Sequence, residues 1–402
     1  MQRGDIAPPL LATVLAGLAM LGPFSIDTYL PSFPAIGDEF DASAAGLQQT
    51  LSAYFLTFAI MTLFHGTLSD SFGRRPVILM SLVVYVAASI GCAGAADLPD
   101  LLLYRGLQGV SAGAGMVVGR AMIRDRFEGH AAQRLMALVT MIFALAPAIA
   151  PVIGGWLQGS LGWRSIFLFL ALYGLALLAV CWWRLPETHP PGARQPFAPM
   201  PLARNYLKLG ASPPLVLLCL TIALNFAGFF IYVMSAPAFI YDLLKLNERE
   251  FAYLFVPGIA GVLIGAYISG RIAEVVSPRR TVKFAYAVMF AAAAFNVIYS
   301  ALAEPALPWS VLPVMVYTIG MALAMPSITL MALELFPHNR GMTASLQSFA
   351  QSMVSGVVAG VISPLLSWSD VMLALGMTGL LLLGWTSWII YQRLEAKVVT
   401  DA

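Results

Sequence analysis

The chain has 402 residues, of which 59% are hydrophobic and only 10% are charged, and its formal net charge is +2. Soluble domains carry about 25% charged residues, so the bilayer rather than water must cover most of this surface. The small net charge gives no indication of a nucleic-acid partner. The four histidines lack metal-ligand spacing and the three cysteines lie inside apolar runs. We therefore predict no metal site, no cofactor and no disulfide.

Apolar runs long enough to cross a bilayer, which needs about 20 residues per helix, recur along the whole chain. They cover residues 10–32, 47–68, 77–96, 101–121, 135–158, 164–183, 214–240, 251–272, 281–302, 309–333, 342–363 and 371–391. The first run is too long for a signal-peptide core and lacks an obvious cleavage site, so we predict an uncleaved span. The sequence therefore predicts an all-α integral membrane protein with twelve transmembrane helices.

The positive charges indicate the orientation of these spans. With the N-terminus inside, 17 of the 22 Lys and Arg fall on cytoplasmic segments, three fall outside, and Arg105 and Arg120 lie within the fourth run. Cytoplasmic loops collect positive charge, so this distribution predicts that both termini are cytoplasmic.

A long polar, proline-rich interruption divides the twelve runs into six and six. We predict an N-terminal bundle over 1–184, a cytoplasmic linker over 185–212 and a C-terminal bundle over 213–402. A weak repeat supports two halves, because Gly66, Asp70 and Arg74 are matched in spacing by Gly270, Glu274 and the basic pair at 279–280. Parallel six-helix repeats are typical of transporters. The alternative is chance similarity between two short basic loops.

The loop after the second run contains Gly66, Asp70, Gly73, Arg74 and Arg75. This spacing resembles the signature loop of the major facilitator superfamily. We expect Gly66 to allow a close helix approach, Gly73 a tight turn, and the two arginines to lie at the anionic inner surface. Asp70 is expected to face the positive N-terminal end of the eleventh span and to latch one conformation. The alternative is that these residues only set orientation.

Span four begins with Arg105, and Gln108 and Gly109 follow in the order of a second superfamily motif, Arg-x-x-Gln-Gly. Asp27 is the only carboxylate that the runs place clearly inside a span, and the topology puts it at the depth of Arg105. Low dielectric favours a protonated carboxyl whereas a nearby arginine favours a charged one, so Asp27 is predicted to load and release protons. The alternatives are a structural ion pair and an arginine that reaches the outer surface.

Span five carries Pro147, Ala150, Pro151, Gly154 and Gly155. The pattern resembles the motif of antiporters in this superfamily, Gly-Pro-x-x-Gly-Gly, with Ala150 in place of one glycine. Two prolines one turn apart indicate a bent helix, and the glycine pair indicates a tight contact or hinge. The alternative is a kinked helix with a packing role alone.

Over essentially the whole chain the sequence is similar to the Bcr/CflA drug-resistance subfamily of drug:proton antiporters. The phrases that carry this resemblance begin at Asp27, Ile123, Gly162, Leu185 and Gly341. Some related exporters place a second carboxylate about two turns before the first on span one. Here that position is Ala19, which argues against export of multiply charged cations and against more than one proton per cycle.

The resemblance implies a monomeric exporter of the bacterial inner membrane that opens alternately to either side and exchanges protons for small amphipathic compounds, including antibiotics. It also implies a cavity for the substrate, whose candidate residues are aromatic or amide side chains: Tyr29, Tyr54, Gln108, Asn225, Tyr232, Tyr317, Gln347 and Gln351. Packing is the alternative role for each. A proton-coupled metabolite transporter would share the fold. A membrane enzyme would need a nucleophile with its base or metal ligands, and a channel would need no latch.

Overall fold

The computed structural model describes residues 8–194 and 196–400. The two chain ends and position 195, to which the prediction of orientation refers, lie outside the described residues. The described part is almost entirely helical and contains no β-strand. High helix content is what a bilayer requires, because a helix satisfies its own backbone N–H and C=O groups where no water is available.

Twelve helical stretches in the described residues are long and apolar enough to span a membrane, which confirms the predicted number. They are Pro8–Phe40, Ala44–Phe72, Arg74–Ala93, Leu98–Arg126, Gly129–Leu161, Arg164–Arg184, Pro213–Met234, Ala252–Ile272, Pro278–Leu302, Leu312–Glu334, Pro337–Leu366 and Asp370–Ala396. Each overlaps one apolar run of the sequence, so the order of spans is also as predicted.

Residue contacts divide the chain into two compact units, Met1–Ala198 and Pro199–Ala402. The first unit contains α1 (Pro8–Asp27), α2 (Phe33–Phe40), α3 (Ala44–Phe72), α4 (Arg74–Ala93), α5 (Leu98–Ala112), α6 (Ala114–Arg126), α7 (Gly129–Leu161) and α8 (Arg164–Arg184). A short 3-10 turn, Leu30–Ser32, joins α1 to α2. Within this unit α3 packs on α5, α4 on α5 and α8, and α1 on α7.

The second unit contains α9 (Pro199–Gly210), α10 (Pro213–Met234), α11 (Ala252–Ile272), α12 (Pro278–Leu302), α13 (Leu312–Glu334), α14 (Arg340–Val357), α15 (Ser363–Leu366) and α16 (Asp370–Thr400). Helix α10 packs on α16 and α14, and α13 packs on α11 and α12. Helix α9 lies inside the segment predicted as a linker, so that segment is partly helical.

Four spans depart from single continuous α-helices, the first because the 3-10 turn Leu30–Ser32 interrupts it. The fourth divides into α5 and α6 at Gly113, and the eleventh contains a π-helical turn at Val358–Ile362. The apolar run predicted for the seventh span continues to 240, but α10 ends at Met234 and a π-helical segment follows at Ala238–Leu243. Pro237 explains this end, because proline has no N–H to continue the hydrogen-bond ladder.

Candidate functional site

Arg105 on α5 is fully buried in the interior of the first unit. Its Nη1 donates to the Ser25 carbonyl oxygen on α1 at 2.8 Å and to Gln108 Oε1 at 2.7 Å. A buried charge is costly unless it is paired or solvated by dipoles. The structure therefore excludes the alternative that Arg105 reaches the outer surface, since its guanidinium lies against backbone and amide dipoles.

Two tyrosine rings enclose the Arg105 guanidinium. Its central carbon lies 4.9 Å from the ring centroid of Tyr29 and 4.8 Å from that of Tyr54. Such contacts attract a cation through the quadrupole of the ring, and desolvation strengthens them. Arg105 Nε and Nη2 form no hydrogen bond with the described residues, so two donors of the guanidinium have no acceptor among them.

The polar groups around Arg105 continue as a hydrogen-bonded chain across neighbouring helices. Gln108 Nε2 donates to Ser89 Oγ on α4 at 2.8 Å, and the hydroxyls of Ser25 and Tyr85 lie 2.7 Å apart. This buried cluster joins α1, α4 and α5. Tyr85, Ser25 and Ser89 were not among the predicted site residues, because no motif of the sequence singled them out.

Asp27 is the last residue of α1, and only 4% of it is exposed. Among residues 8–194 and 196–400 its carboxylate has no hydrogen-bond or ion-pair partner. The expected pairing with Arg105 is therefore not made, although Arg105 binds the carbonyl of Ser25, two residues away. Tyr54 interacts electrostatically with both side chains and so connects them indirectly.

The antiporter motif lies next to the end of α1. A Cβ atom added to Gly154 on α7 would meet the backbone of Thr28, including its carbonyl oxygen. Only glycine permits this approach, so the motif brings the α7 backbone directly against the residue that follows Asp27. Both prolines of the motif, Pro147 and Pro151, lie inside the continuous helix α7.

Close approach is also the role of Gly109 in the motif on α5. A Cβ at this position would meet the backbone carbonyl of Tyr54 and the Thr57 side chain on α3. Thr57 Oγ1 in turn donates to the Gly106 carbonyl oxygen at 2.8 Å. Gly109 therefore allows α5 to pack closely on α3 at the level where Tyr54 covers Arg105.

The predicted latch residues lie around the junction of α3 and α4. Gly66 and Asp70 belong to α3, Gly73 separates the helices, and Arg74 and Arg75 begin α4. Gly73 makes the predicted tight turn, with a φ of 102° that favours glycine. Gly66 differs from expectation, because an added Cβ would only touch the Val117 side chain at an ordinary 3.9 Å. Arg75 donates to the Trp182 carbonyl oxygen at 2.7 Å and covers the Trp182 ring.

Arg74 is largely buried, rather than lying at a lipid surface as predicted. Its guanidinium forms ion pairs with Asp70 and, at 3.0 Å, with Asp125 at the end of α6. Thr188 Oγ1 donates to the same Asp125 oxygen at 2.9 Å. A buried arginine held by two carboxylates and further hydrogen bonds is compensated. This network is the reason that Arg74 lies inside the protein.

Glu187 completes this network by capping α4. Its Oε1 accepts from the Arg74 N–H at 3.0 Å and its Oε2 from the Arg75 N–H at 3.3 Å. The first N–H groups of a helix have no intrahelical partner. Gly73 offers no side chain as a cap, and Pro76 has no N–H. One carboxylate from the segment after α8 therefore satisfies the first turn of α4.

The predicted substrate residues are mostly buried and hydrogen-bonded within their own units. Tyr29 Oη lies 3.1 Å from Thr50 Oγ1, Tyr317 donates to the Asn225 carbonyl oxygen at 2.9 Å, and Asn225 exchanges hydrogen bonds with Tyr286. Six of the residues are at most 1% exposed: Tyr29, Tyr54, Gln108, Asn225, Tyr232 and Tyr317. Gln347 and Gln351 are partly exposed, and Gln347 donates to Thr329 Oγ1 at 3.0 Å.

Asp27 is not the only embedded carboxylate, which corrects the sequence prediction. Asp370 begins α16 and is 5% exposed, and Ser300 Oγ donates to its Oδ2 at 2.9 Å. It was missed because the twelfth apolar run was counted from residue 371. Asn296 and Ser300, four residues apart on one face of α12, were the available signal for a polar site there.

A family model for the major facilitator superfamily matches residues 15–360. An uncharacterized MFS-type transporter, YdgK, from Bacillus subtilis is 31% identical over 356 residues, 88% of each chain. A bicyclomycin resistance protein homolog from Haemophilus influenzae is 30% identical over 273 residues, 68% of this chain and 69% of that protein. These relatives are consistent with the Bcr/CflA subfamily.

A solved structure of a bacterial homologue of the human lysosomal transporter Spinster has the same fold. It superimposes with a TM-score of 0.75 over 99% of both chains, at 17% sequence identity. At this identity the similarity concerns the fold alone.

Proposed function

The chain belongs to the major facilitator superfamily and is a membrane transporter, and from this premise we propose that it is a proton-coupled antiporter. Its substrates are small amphipathic organic compounds, which it exports across the bacterial inner membrane by alternating access. The name of the Haemophilus relative, a bicyclomycin resistance protein homolog, supports drug-like substrates. The motif that contains Gly154 and Gly155 supports exchange rather than import.

Asp27 is the proposed carrier of the proton, and the observation that supports this role is its burial without a counter-charge. An ionised carboxylate with no partner is unfavourable in a buried site, whereas a protonated one is neutral. Arg105 meanwhile keeps two donor nitrogens unused. A neutral, protonated carboxyl fits this arrangement, because it needs no counter-charge from those two nitrogens.

In the proposed cycle the proton and the substrate bind alternately. Loss of the proton creates a negative charge on Asp27 that the free nitrogens of Arg105 or a cationic group of the substrate can balance. Renewed protonation removes that charge and releases the bound partner. Tyr54, beside both residues, would change its contacts with each state. Gly154 brings the backbone of α7 against Thr28, the residue that follows Asp27.

Transport in proteoliposomes tests this function. Susceptibility profiling in a bacterial host that lacks its own pumps first identifies an exported compound, and an imposed pH gradient then drives its efflux. Asp27→Asn keeps the shape of the side chain but fixes it in a neutral state. We expect uphill efflux to be lost, while downhill exchange of the same compound is retained.

Asp41→Asn is the matched control. Asp41 is an exposed residue just after α2 and has a φ of 49°, a conformation that asparagine tolerates. This variant should keep full coupling. Normal pH-driven efflux in Asp27→Asn would refute the assignment of Asp27 as the proton carrier, and susceptibility unaffected by the protein for every compound tested would refute drug export.

A further inference from the structure

The second unit contains a buried polar cluster formed by Asp370, Ser300, Asn296 and Tyr232. Asp370 lies in the first turn of α16, Ser300 and Asn296 lie one turn apart on α12, and Tyr232 lies near the end of α10. Helices α10 and α12 both pack on α16. By the predicted topology all four residues belong to the outer half of the membrane, as Asp27 does.

Two acceptor oxygens in this cluster have no partner. Ser300 donates to Asp370 Oδ2, but Asp370 Oδ1 has no hydrogen bond within the described part of the chain. Asn296 is fully buried, and its Nδ2 donates to Tyr232 Oη at 2.7 Å, whereas its Oδ1 has no described partner. Leaving two buried acceptors unpaired is unfavourable, so the cluster lacks a positive group or a donor.

The surroundings of Asp370 supply no such group. Helix α10 contributes Tyr232, which interacts electrostatically with Asp370, α12 contributes the neutral Asn296 and Ser300, and α15 contains no titratable side chain. No Lys, Arg or His of the described residues pairs with Asp370. An aspartate in a first helical turn is stabilised by the helix dipole, but this role leaves the Asn296 oxygen unexplained.

We propose that Asp370 is a second proton-binding site, in which the Asp370 carboxyl holds the proton on Oδ1 and the Ser300 hydroxyl donates to Oδ2. One proton removes the negative charge and converts one of the two unpaired acceptors into a donor. We assign the Asn296 side-chain oxygen as its acceptor, because that oxygen is the other unpaired acceptor of the cluster among the described residues. A divalent cation such as calcium prefers about six to eight oxygen ligands, more than these four side chains offer.

A second site would allow more than one proton per cycle, contrary to the expectation drawn from Ala19. Its part in the cycle rests on the proposed function, but proton binding at Asp370 can be tested apart from Asp27, because the two carboxylates belong to different units. It is also testable without a known substrate, since proton occupancy of a carboxyl can be measured directly.

The experiment uses the full chain in liposomes and dicyclohexylcarbodiimide, an apolar reagent that reacts with protonated carboxyl groups. Adduct formation at Asp370 is followed by peptide mass spectrometry over a pH series. We expect an adduct that disappears in one titration step as the pH rises. The exposed carboxylate Asp242, in the same unit, should remain unlabelled at neutral pH.

Two variants distinguish a proton site from a merely buried acid. Ser300→Ala removes a donor that favours the ionised form, so the midpoint of labelling should rise by about one pH unit. Asn296→Leu removes the acceptor that favours the protonated form, so the midpoint should fall by a similar amount. Thr378→Ala, which loses a hydroxyl bonded to Ala374 O further along α16, should leave the midpoint unchanged.

Opposite shifts of the two variants would support the site. Shifts in the same direction, or no adduct at Asp370 at any pH at which the protein stays monodisperse, would overturn it. Protection of Asp370 by sodium chloride but not by choline chloride would also overturn the proposal, in favour of a sodium site.

Discussion

Removal of the Glu187 side chain should loosen the first turn of α4. The carboxylate accepts two N–H groups there, and losing a helix cap costs about 1 kcal/mol. Loss of its negative charge near a helix N-terminus adds up to about 1 kcal/mol more. A local free energy of opening lowered by about 1 to 2 kcal/mol corresponds to roughly 5- to 30-fold faster exchange of these amides.

Hydrogen exchange read by mass spectrometry, with fragmentation that resolves the amides of Arg74 and Arg75, measures this effect in Glu187→Ala. Glu187→Gln retains an acceptor oxygen and should give a smaller increase. Glu128→Ala is a matched control, because Glu128 precedes α7 without forming a side-chain cap. Unchanged exchange at both arginine amides in Glu187→Ala would show that water replaces the carboxylate without cost and would refute the capping argument.

Three further outcomes are expected. Gly154→Ala places a methyl group against the Thr28 backbone, so we expect slower efflux and, in thermal unfolding, a stability loss of about 1–3 kcal/mol. Gly379→Ala is the control and should be neutral, because its methyl group meets nothing within 4 Å. Asp70→Asn weakens the ion pair with a buried arginine and should impair efflux at normal expression, and normal transport would reduce Asp70 to an orientation signal. An impermeant thiol reagent outside intact cells should label Ser160→Cys and miss Gln195→Cys, and labelling of the latter would reverse the predicted topology.

The number and order of the spans could be predicted, because hydropathy acts along the chain. Of the two acceptors of Arg105, Gln108 belongs to the same sequence motif. The other, the backbone carbonyl of Ser25, could not be predicted, because every residue carries such a group. The environment of Arg74 could likewise not be predicted from the sequence. Its partners Asp125 and Glu187 lie 51 and 113 residues away, and both were noticed only as parts of phrases that resemble a subfamily.

Asp370 shows a different limit of the sequence. An apolar run is counted only up to the first charged residue. A carboxylate in the first turn of a spanning helix therefore always falls outside the run. The burial of Asp370 depends on α10 and α12 covering the start of α16, which is a property of tertiary packing.

The hydrogen-bonded chain around Arg105 also governs how this protein tolerates substitution. The hydroxyls of Ser25 and Tyr85 are hydrogen-bonded to each other, and consecutive side-chain hydrogen bonds join Arg105, Gln108 and Ser89. Within each group, a single loss should therefore cost much of what the loss of several costs. In a scan of all substitutions these positions on α1, α4 and α5 should behave as two genetic units. Substitutions at these positions should be tolerated only when a hydrogen-bonded neighbour is replaced as well. Exchanging one tolerated combination for another without loss of function would require simultaneous substitutions on two helices.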